Sequence, residues 1–301
     1  MAVYNFRRDS AVHIVYGGNR YNIKVTPELS FSQTFAEDAY EVKTLHDQTK
    51  MFKGTSVTKA NPANFDFTVQ LTKEKDESIV KSLLTDYDTS SGEQLLKSFD
   101  LYVVTKESTF KLEGCVITSG EFLIGKYNIL TLKVSGDSKK LTRLASDFSL
   151  PGTLQSASAT RTPVKALLDV EVGGSDVSNL VSATLSVQNN ITWTPYETLH
   201  NSLSVTNASN AMYPTTYTLE ERVVAGNITQ YIGDNNSSTF QTFNTNTAIA
   251  VKTLVDGSTF FNANLTSCMF TKRVEPAEVF TQTFDYRLIT SPANLGTTIT
   301  Y

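Results

Sequence analysis

Apolar and polar side chains alternate strictly through Phe65-Asp66-Phe67-Thr68-Val69-Gln70-Leu71, which predicts a strand with one face in a core and the other in water. The same period marks "AVHIVYGG" from residue 11, "SFDLYVVT" from 98, "STFKLEGCVITSGEF" from 108 and "NILTLKVSG" from 128. Gly17-Gly18 reads as a turn, and Gly114 and Gly120 as bulges. In "YNIKVTPELSFSQT", Ile23, Val25, Leu29 and Phe31 share a face when Pro27 marks a bend or an edge. One segment changes period: Ile79, Val80, Leu83 and Leu84 form a narrow stripe, and charges from Lys73 to Glu77 crowd its start, predicting a helix over about Lys75–Tyr87 that packs on a sheet. The polar stretches at 36–61 and 192–213 read as long loops, which in compact domains are usually functional.

The pattern then restarts. Gly17, Gly18, Leu29 and Ser30 recur 156 positions later as Gly173, Gly174, Leu185 and Ser186. "TLH" at 44–46 recurs at 198–200, "SVTKA" at 56–60 as "SVTNA" at 204–208, and "STFKLEG" from 108 as "STFFNAN" from 258. "TLKVSG" from 131 parallels "TFDYRL" from 283. Each match is cheap; their common order is not, and it points to a tandem duplication. The expected division is residues 1–140, a connection over 141–162 with Pro151-Gly152 and small polar residues, and 163–301. The helix is less clear in the second copy, where "ERVVAGNITQYI" reads as a strand and "NNSSTFQTFNTN" as a short helix.

Composition agrees with a mainly β chain carrying minor α. Of 301 residues, 40% are apolar and 19% charged, enough for a core. The net charge of -4 argues against unspecific gripping of nucleic acid. Residues 1–150 hold 19 basic and 19 acidic side chains, against 7 and 11 in the remainder, so the whole net charge lies in the second half and the copies face different neighbours. Cys115 and Cys268 have neither CxxC spacing nor a nearby His, and read as buried strand thiols. His13, His46 and His200 offer no metal set, and HExxH, GxSxG and Walker motifs are all missing. "GGNR" and "GGSD" lack a following helix and are turns rather than phosphate cradles. No catalytic residue, cofactor or metal is expected. The start "MAVYNFRRDSAV" has no signal-peptide core, and no run suits a membrane helix, so synthesis in a cytoplasm and solubility are expected.

The run 221–270 resembles bacteriophage tail tube (major tail) proteins, with Arg222, Gly226, Asp234-Asn235 and Phe240/Phe243 in the places of the family's Arg, central Gly, acidic-Asn turn and short aromatic helix. "SNLVSATLSVQNNI" at 178–191 resembles the family's early strand. The resemblance implies two tandem tail-tube domains of β-barrel or β-sandwich type, each with a flanking helix, that assemble into a ring with a β-barrel lumen. Such rings stack through a long loop, which places Lys43, Leu45, His46, Asp47, Lys50, Phe52, Leu199 and His200 as stacking residues. It further implies self-association, with a trimer of two-domain chains favoured over a hexamer, because fusion fixes every second contact at high effective concentration. The implied partners are tape-measure, baseplate or tip, and neck or terminator proteins of a virion tail, with a sheath protein where the tail contracts. Viral DNA would transit the lumen unbound, and no membrane is involved. The competing readings are a tandem β-sandwich decoration or adhesin protein and a carbohydrate-active sandwich.

Overall fold

The structure is a computed structural model describing residues 7–42, 52–88, 95–125, 128–194, 212–236, 243–276, 278–290 and 294–301. The first half contributes β1 (Ala11–Tyr16), β2 (Asn19–Ile23), β3 (Ser30–Ser32), β4 (Phe35–Val42), β5 (Phe52–Ala60), β6 (Ala63–Gln70), α1 (Ser78–Thr85), β7 (Tyr87–Asp88), β8 (Leu95–Leu96), β9 (Phe99–Val104), β10 (Thr109–Gly125), β11 (Thr131–Ser138) and β12 (Lys140–Leu144). Then follow β13 (Thr153–Leu154), β14 (Leu167–Val172), β15 (Ser175–Asp176), β16 (Leu180–Thr194), β17 (Thr216–Tyr231), β18 (Phe243–Val255), β19 (Ser258–Glu275), β20 (Thr281–Leu288) and β21 (Ile299–Thr300).

The pairing scheme of the first half recurs in the second. Hairpin β1–β2 turns on Gly17 and Gly18 at φ 57° and 77°, and hairpin β14–β15 on Gly173 and Gly174 at 62° and 77°. Two successive positive φ values are what a type I′ turn demands, which explains the matched glycine pairs. Strand β1 pairs with β9 as β14 does with β18, and β3 with β6 as β16 with β17. Likewise β6 pairs with β11 as β17 with β20, β10 with β11 as β19 with β20, and β10 with β12 as β19 with β21.

What joins the halves is a strand pairing. The C-terminal part of β10 lies antiparallel to β16, from Ser119 opposite Gln188 to Gly125 opposite Ser182. One sheet therefore runs β3-β6-β11-β10-β16-β17-β20-β19-β18-β14 through both halves. A second sheet, β13-β2-β1-β9-β10-β12, shares the N-terminal part of β10. Among the described residues these ladders form no closed circuit, so within one chain the barrel expectation becomes an open, sandwich-like pair of sheets. The core is likewise continuous: Phe122 of β10 and Phe261 of β19 are both fully buried, with ring centroids 4.9 Å apart. Cys115 and Cys268 are buried free thiols in β10 and β19.

Several local expectations are corrected. The helix spans Ser78–Thr85, shorter than the expected Lys75–Tyr87 though it holds the whole apolar stripe, because Lys75 adopts a left-handed φ of 60° and the chain turns before entering α1. Gly114 does sit at a bulge with φ 61°, but Gly120 does not; the second irregularity of β10 falls between Ile117 and Ser119. A Cβ on Gly120 would come within 2.3 Å of Leu84, so that glycine lets α1 settle onto the sheet. The stretch 36–61, read as a loop, is largely the two-stranded ribbon β4–β5, paired from Phe35 opposite Ala60 to Val42 opposite Phe52. Residues 192–213 begin as the end of β16, while β17 starts at Thr216. In the second half, the place of α1 opens with a single 3-10 turn, Asp234–Asn236, and residues 237–242 lie outside the described residues. The extended connection is tied down rather than free. Strand β13 pairs parallel to β2, Arg161 Nε lies 2.9 Å from Asp76 Oδ2, and Arg161 Nη2 donates to Asn22 O at 2.8 Å.

Candidate functional site

The long sheet has one buried and one open face, and the open face is what the chain presents. Register places one residue per strand in a row across it: Lys133, Glu121, Ser186, Ala225, Arg287 and Met269, with the buried Thr68 of β6 at its end. The neighbouring row reads Gln70, Thr131, Leu123, Thr184, Asn227, Asp285 and Thr271. These rows cross the β10–β16 seam without interruption. Their chemistry is small, hydroxylated and mixed in sign, and Glu221 on the same face pairs with Arg287 at 2.6 Å. At the seam, Thr118, Ser119, Asp137, Gln188, Asn189 and Asn190 line a shallow polar pocket. Burial raises the Asp137 carboxyl above the usual range, opposed by the Trp193 indole N–H that donates to it at 3.3 Å.

Behind the seam lies a buried polar latch between the halves. Helix α1 ends with carbonyl groups that no further turn can satisfy. Arg222 of β17 reaches across, donating from Nη1 to Thr85 O at 2.9 Å and from Nη2 to Leu84 O at 3.3 Å. Its Nε donates to Asn189 Oδ1 at 2.7 Å, and Asn189 Nδ2 donates to Ile117 O at 2.9 Å. The guanidinium stacks 4.0 Å above the Tyr87 ring and is 9% exposed. Burial lowers its pKa, opposed by Tyr87 and Asp86, yet an arginine stays charged here. Beside it, burial pushes the Asp86 carboxyl up, but hydrogen bonds from Ser82, Lys97 and Thr85 outweigh this and hold it below the usual range. Arg222 was singled out in the sequence only through a family resemblance; its role as a cap for α1 came from the fold.

Of the stacking residues expected from sequence, Lys43, Leu45, His46, Asp47, Lys50, Leu199 and His200 lie outside the described residues. Phe52 opens β5, opposite Val42. In sequence, 43–51 separates β4 from β5, which pair as far as Val42 opposite Phe52, and 195–211 follows β16, which pairs with β17 as far as Thr194 opposite Thr216. Phe243 opens β18 and is 68% exposed. His13 lies in β1, its pKa lowered by burial and then by Arg20. Among the described residues no cluster of His, Cys, Asp and Glu could hold a metal ion, and no helix is long and apolar enough to cross a membrane.

Comparison with known proteins gives a family. No curated protein matches the chain. Among solved structures, a chain in the cryo-EM structure of the anti-feeding prophage (AFP) baseplate, 6-fold symmetrised, is 9% identical, covering 49% of this chain and 100% of that one. Its TM-score of 0.36 is too low to carry an argument. The model of the bacteriophage baseplate tube protein family, by contrast, matches residues 2–301. This mainly β chain, a structural component of a phage tail or baseplate, belongs to the bacteriophage baseplate tube protein family.

Proposed function

We propose that the chain builds a ring-shaped segment of the tail or baseplate tube, with the open face of its long sheet turned to an axial channel. In this reading each chain brings two tube units, divided near residues 140 and 163, and three chains close a six-unit ring. The observation that carries it is the seam, where one half lays its strand β16 along β10 of the other and extends a single sheet. A sheet that grows by edge pairing and turns steadily closes only when its last edge meets its first, and closure removes edges that otherwise aggregate. The stretches 43–51, between β4 and β5 in sequence, and 195–211, between β16 and β17, are assigned to contacts with the rings above and below, including tape-measure, tip, neck or sheath proteins.

The channel wall so assigned suits passage of DNA during ejection. Hydroxyl and amide groups make few lasting contacts with phosphate, while each unpaired Lys or Arg would add counterion-release affinity. Here Arg287 is held by Glu221, and Lys133 faces Glu121 across the pair of strands.

Electron microscopy and mass measurement of the purified chain test this. The expected particle is a ring with an axial pore and three times the 33.2 kDa chain mass. A monomer without a pore at every concentration overturns the ring; a six-chain particle overturns the trimer.

A further inference from the structure

Helix α1 of the first half is gripped at both ends by the second half, and only its C-terminal end lies at the seam. There Leu84 covers Gly120 of β10, and Arg222 caps the last carbonyls. At the same end the Leu295 N–H donates to Thr85 O at 3.1 Å, and Lys81 Nζ donates to Gly296 O at 3.2 Å. The chain then runs on to Tyr301, which holds the approach to the helix N-terminus. The Thr72 N–H donates to Tyr301 Oη at 3.0 Å, Tyr301 Oη donates to Thr72 O at 3.0 Å, and the buried Glu77 carboxylate lies 3.3 Å from the same hydroxyl. We propose that residues 294–301 are a strap that locks the two halves at one angle. Docked, it makes the chain a single rigid body; undocked, it lets the halves hinge at the C-terminal end of α1. That only the locked chain joins a ring rests on the ring reading above.

Three observations carry this. The first is leverage. The Arg222 latch meets α1 at Leu84 and Thr85, whereas Tyr301 holds Thr72 and Glu77, about 12 Å away along the eight residues of the helix. Contacts at one end of a rod leave a pivot, and a contact at the far end removes it. The second is that further contacts between the halves gather at that far end. Lys75 Nζ lies 5.5 Å from the centre of the Phe260 ring and 5.7 Å from that of Tyr301, and the two rings meet edge to face at 5.2 Å. Lys75 reaches them from its left-handed φ of 60°, a conformation that persists where the surroundings hold it. Lys73 pairs with Asp256 at 3.2 Å beside it, an exposed and therefore weak link. The third is the strap's slender backbone attachment. Among the described residues β21 pairs with β19 over two positions only, Asn262 opposite Thr300 and Ala263 opposite Ile299. Its docking thus rests on side chains, the fully buried Leu295 and Ile299 and the Tyr301 ring, and a segment so held opens locally before the sheets do.

Tyr301→Ala and Tyr301→Phe in the full chain test this by hydrogen exchange and by a distance between the halves. The reporters are the Leu295 and Ile299 amides, whose acceptors are Thr85 O and Leu295 O and not an atom of Tyr301. Their exchange is expected to rise about tenfold in Tyr301→Ala and about threefold in Tyr301→Phe, while amides of the β1–β2 and β14–β18 ladders stay near the parent rate. Tyr301→Phe keeps the aromatic ring against Phe260 and decides the matter where the alanine variant fails to fold. Spin labels on Lys106→Cys and Ser175→Cys, exposed sites in the first and second halves, read the angle, with labelled chain diluted into unlabelled chain. Native Cys115 and Cys268 are buried and take no label. One distance is expected in the parent, and a second population in Tyr301→Ala. Reporter and reference amides that speed up by one common factor make Tyr301 an ordinary core residue and overturn the strap, as does a single unchanged distance. A parent that forms no rings, while exchange and distance change as expected, overturns the ring and leaves the strap standing.

Discussion

Replacing Arg222 by Met is expected to destabilise the chain by about 3–5 kcal/mol, because it removes three hydrogen bonds from a buried charged donor together with its packing over Tyr87. Three oxygens lose the guanidinium at once: Thr85 O, Leu84 O and Asn189 Oδ1. Leu84 O keeps a second donor, Asn189 Nδ2, at 3.4 Å, and Thr85 O keeps the Leu295 N–H at 3.1 Å. The loss is therefore shared between the charge-assisted bonds, the Asn189 amide left facing a methionine, and the emptied stacking position over Tyr87. Arg222→Lys keeps the charge but offers one compact head in place of a planar fork, so it should recover less than half of the loss. Urea unfolding of the two variants beside the parent measures both effects. A loss below about 1 kcal/mol for Arg222→Met would mean that the latch is incidental. Because the latch ties α1 of the first half to β17 of the second, its removal should also loosen the angle between halves, and with it the closure of any ring.

Much of the fold was legible where side chains alternate. Strands β1, β6, β9, β10 and β11 have one wet and one dry face, and their period of two shows directly in the residues. The paired glycines were legible because only a left-handed turn needs them. The ribbon β4–β5 was not, since "AEDAYEVK" lacks the alternation of a half-buried strand and reads as loop, while the two strands pair with each other in a sheet of their own. Nor was the seam. Residues 119–125 and 182–188 are far apart in sequence, and alternation shows which face of a strand is buried, not which strand lies beside it. The stacking assignments came from a resemblance, and all but Phe52 lie outside the described residues. Arg222 stood out only through the resemblance; its partners did not, because the residues it binds, Leu84, Thr85 and Asn189, are between 33 and 138 positions away.

Gly226→Ala is the smallest change expected to have a large effect. Gly226 lies in the middle of β17 with ordinary strand dihedrals, so strain in φ is not its reason for being glycine. Space is. A Cβ there would stand 2.0 Å from Thr184 O and 2.4 Å from Tyr286 Oη, far inside contact distance. Tyr286 is 3% exposed, its Oη donates to Thr184 O at 2.9 Å, and burial pushes its ionisation far up, so it is a fixed neutral donor. The methyl group must displace the tyrosine, which breaks that buried hydrogen bond, or push β17 away from β16, which opens the sheet beside the seam. Overpacking and the lost bond together should cost about 3–5 kcal/mol. Tyr286→Phe alone should cost about 1 kcal/mol, since it removes only the bond. In the double variant the ring can withdraw from the new methyl but Thr184 O cannot, so the combined loss should fall short of the sum and still exceed that of Tyr286→Phe. Gly174→Ala sets the scale for dihedral strain without crowding: nothing lies within 4 Å of its Cβ, and its φ of +77° alone should cost about 1–2 kcal/mol. Denaturation curves that place Gly226→Ala at or below Gly174→Ala would show that β16, β17 and β20 yield freely there, which a rigid channel wall does not.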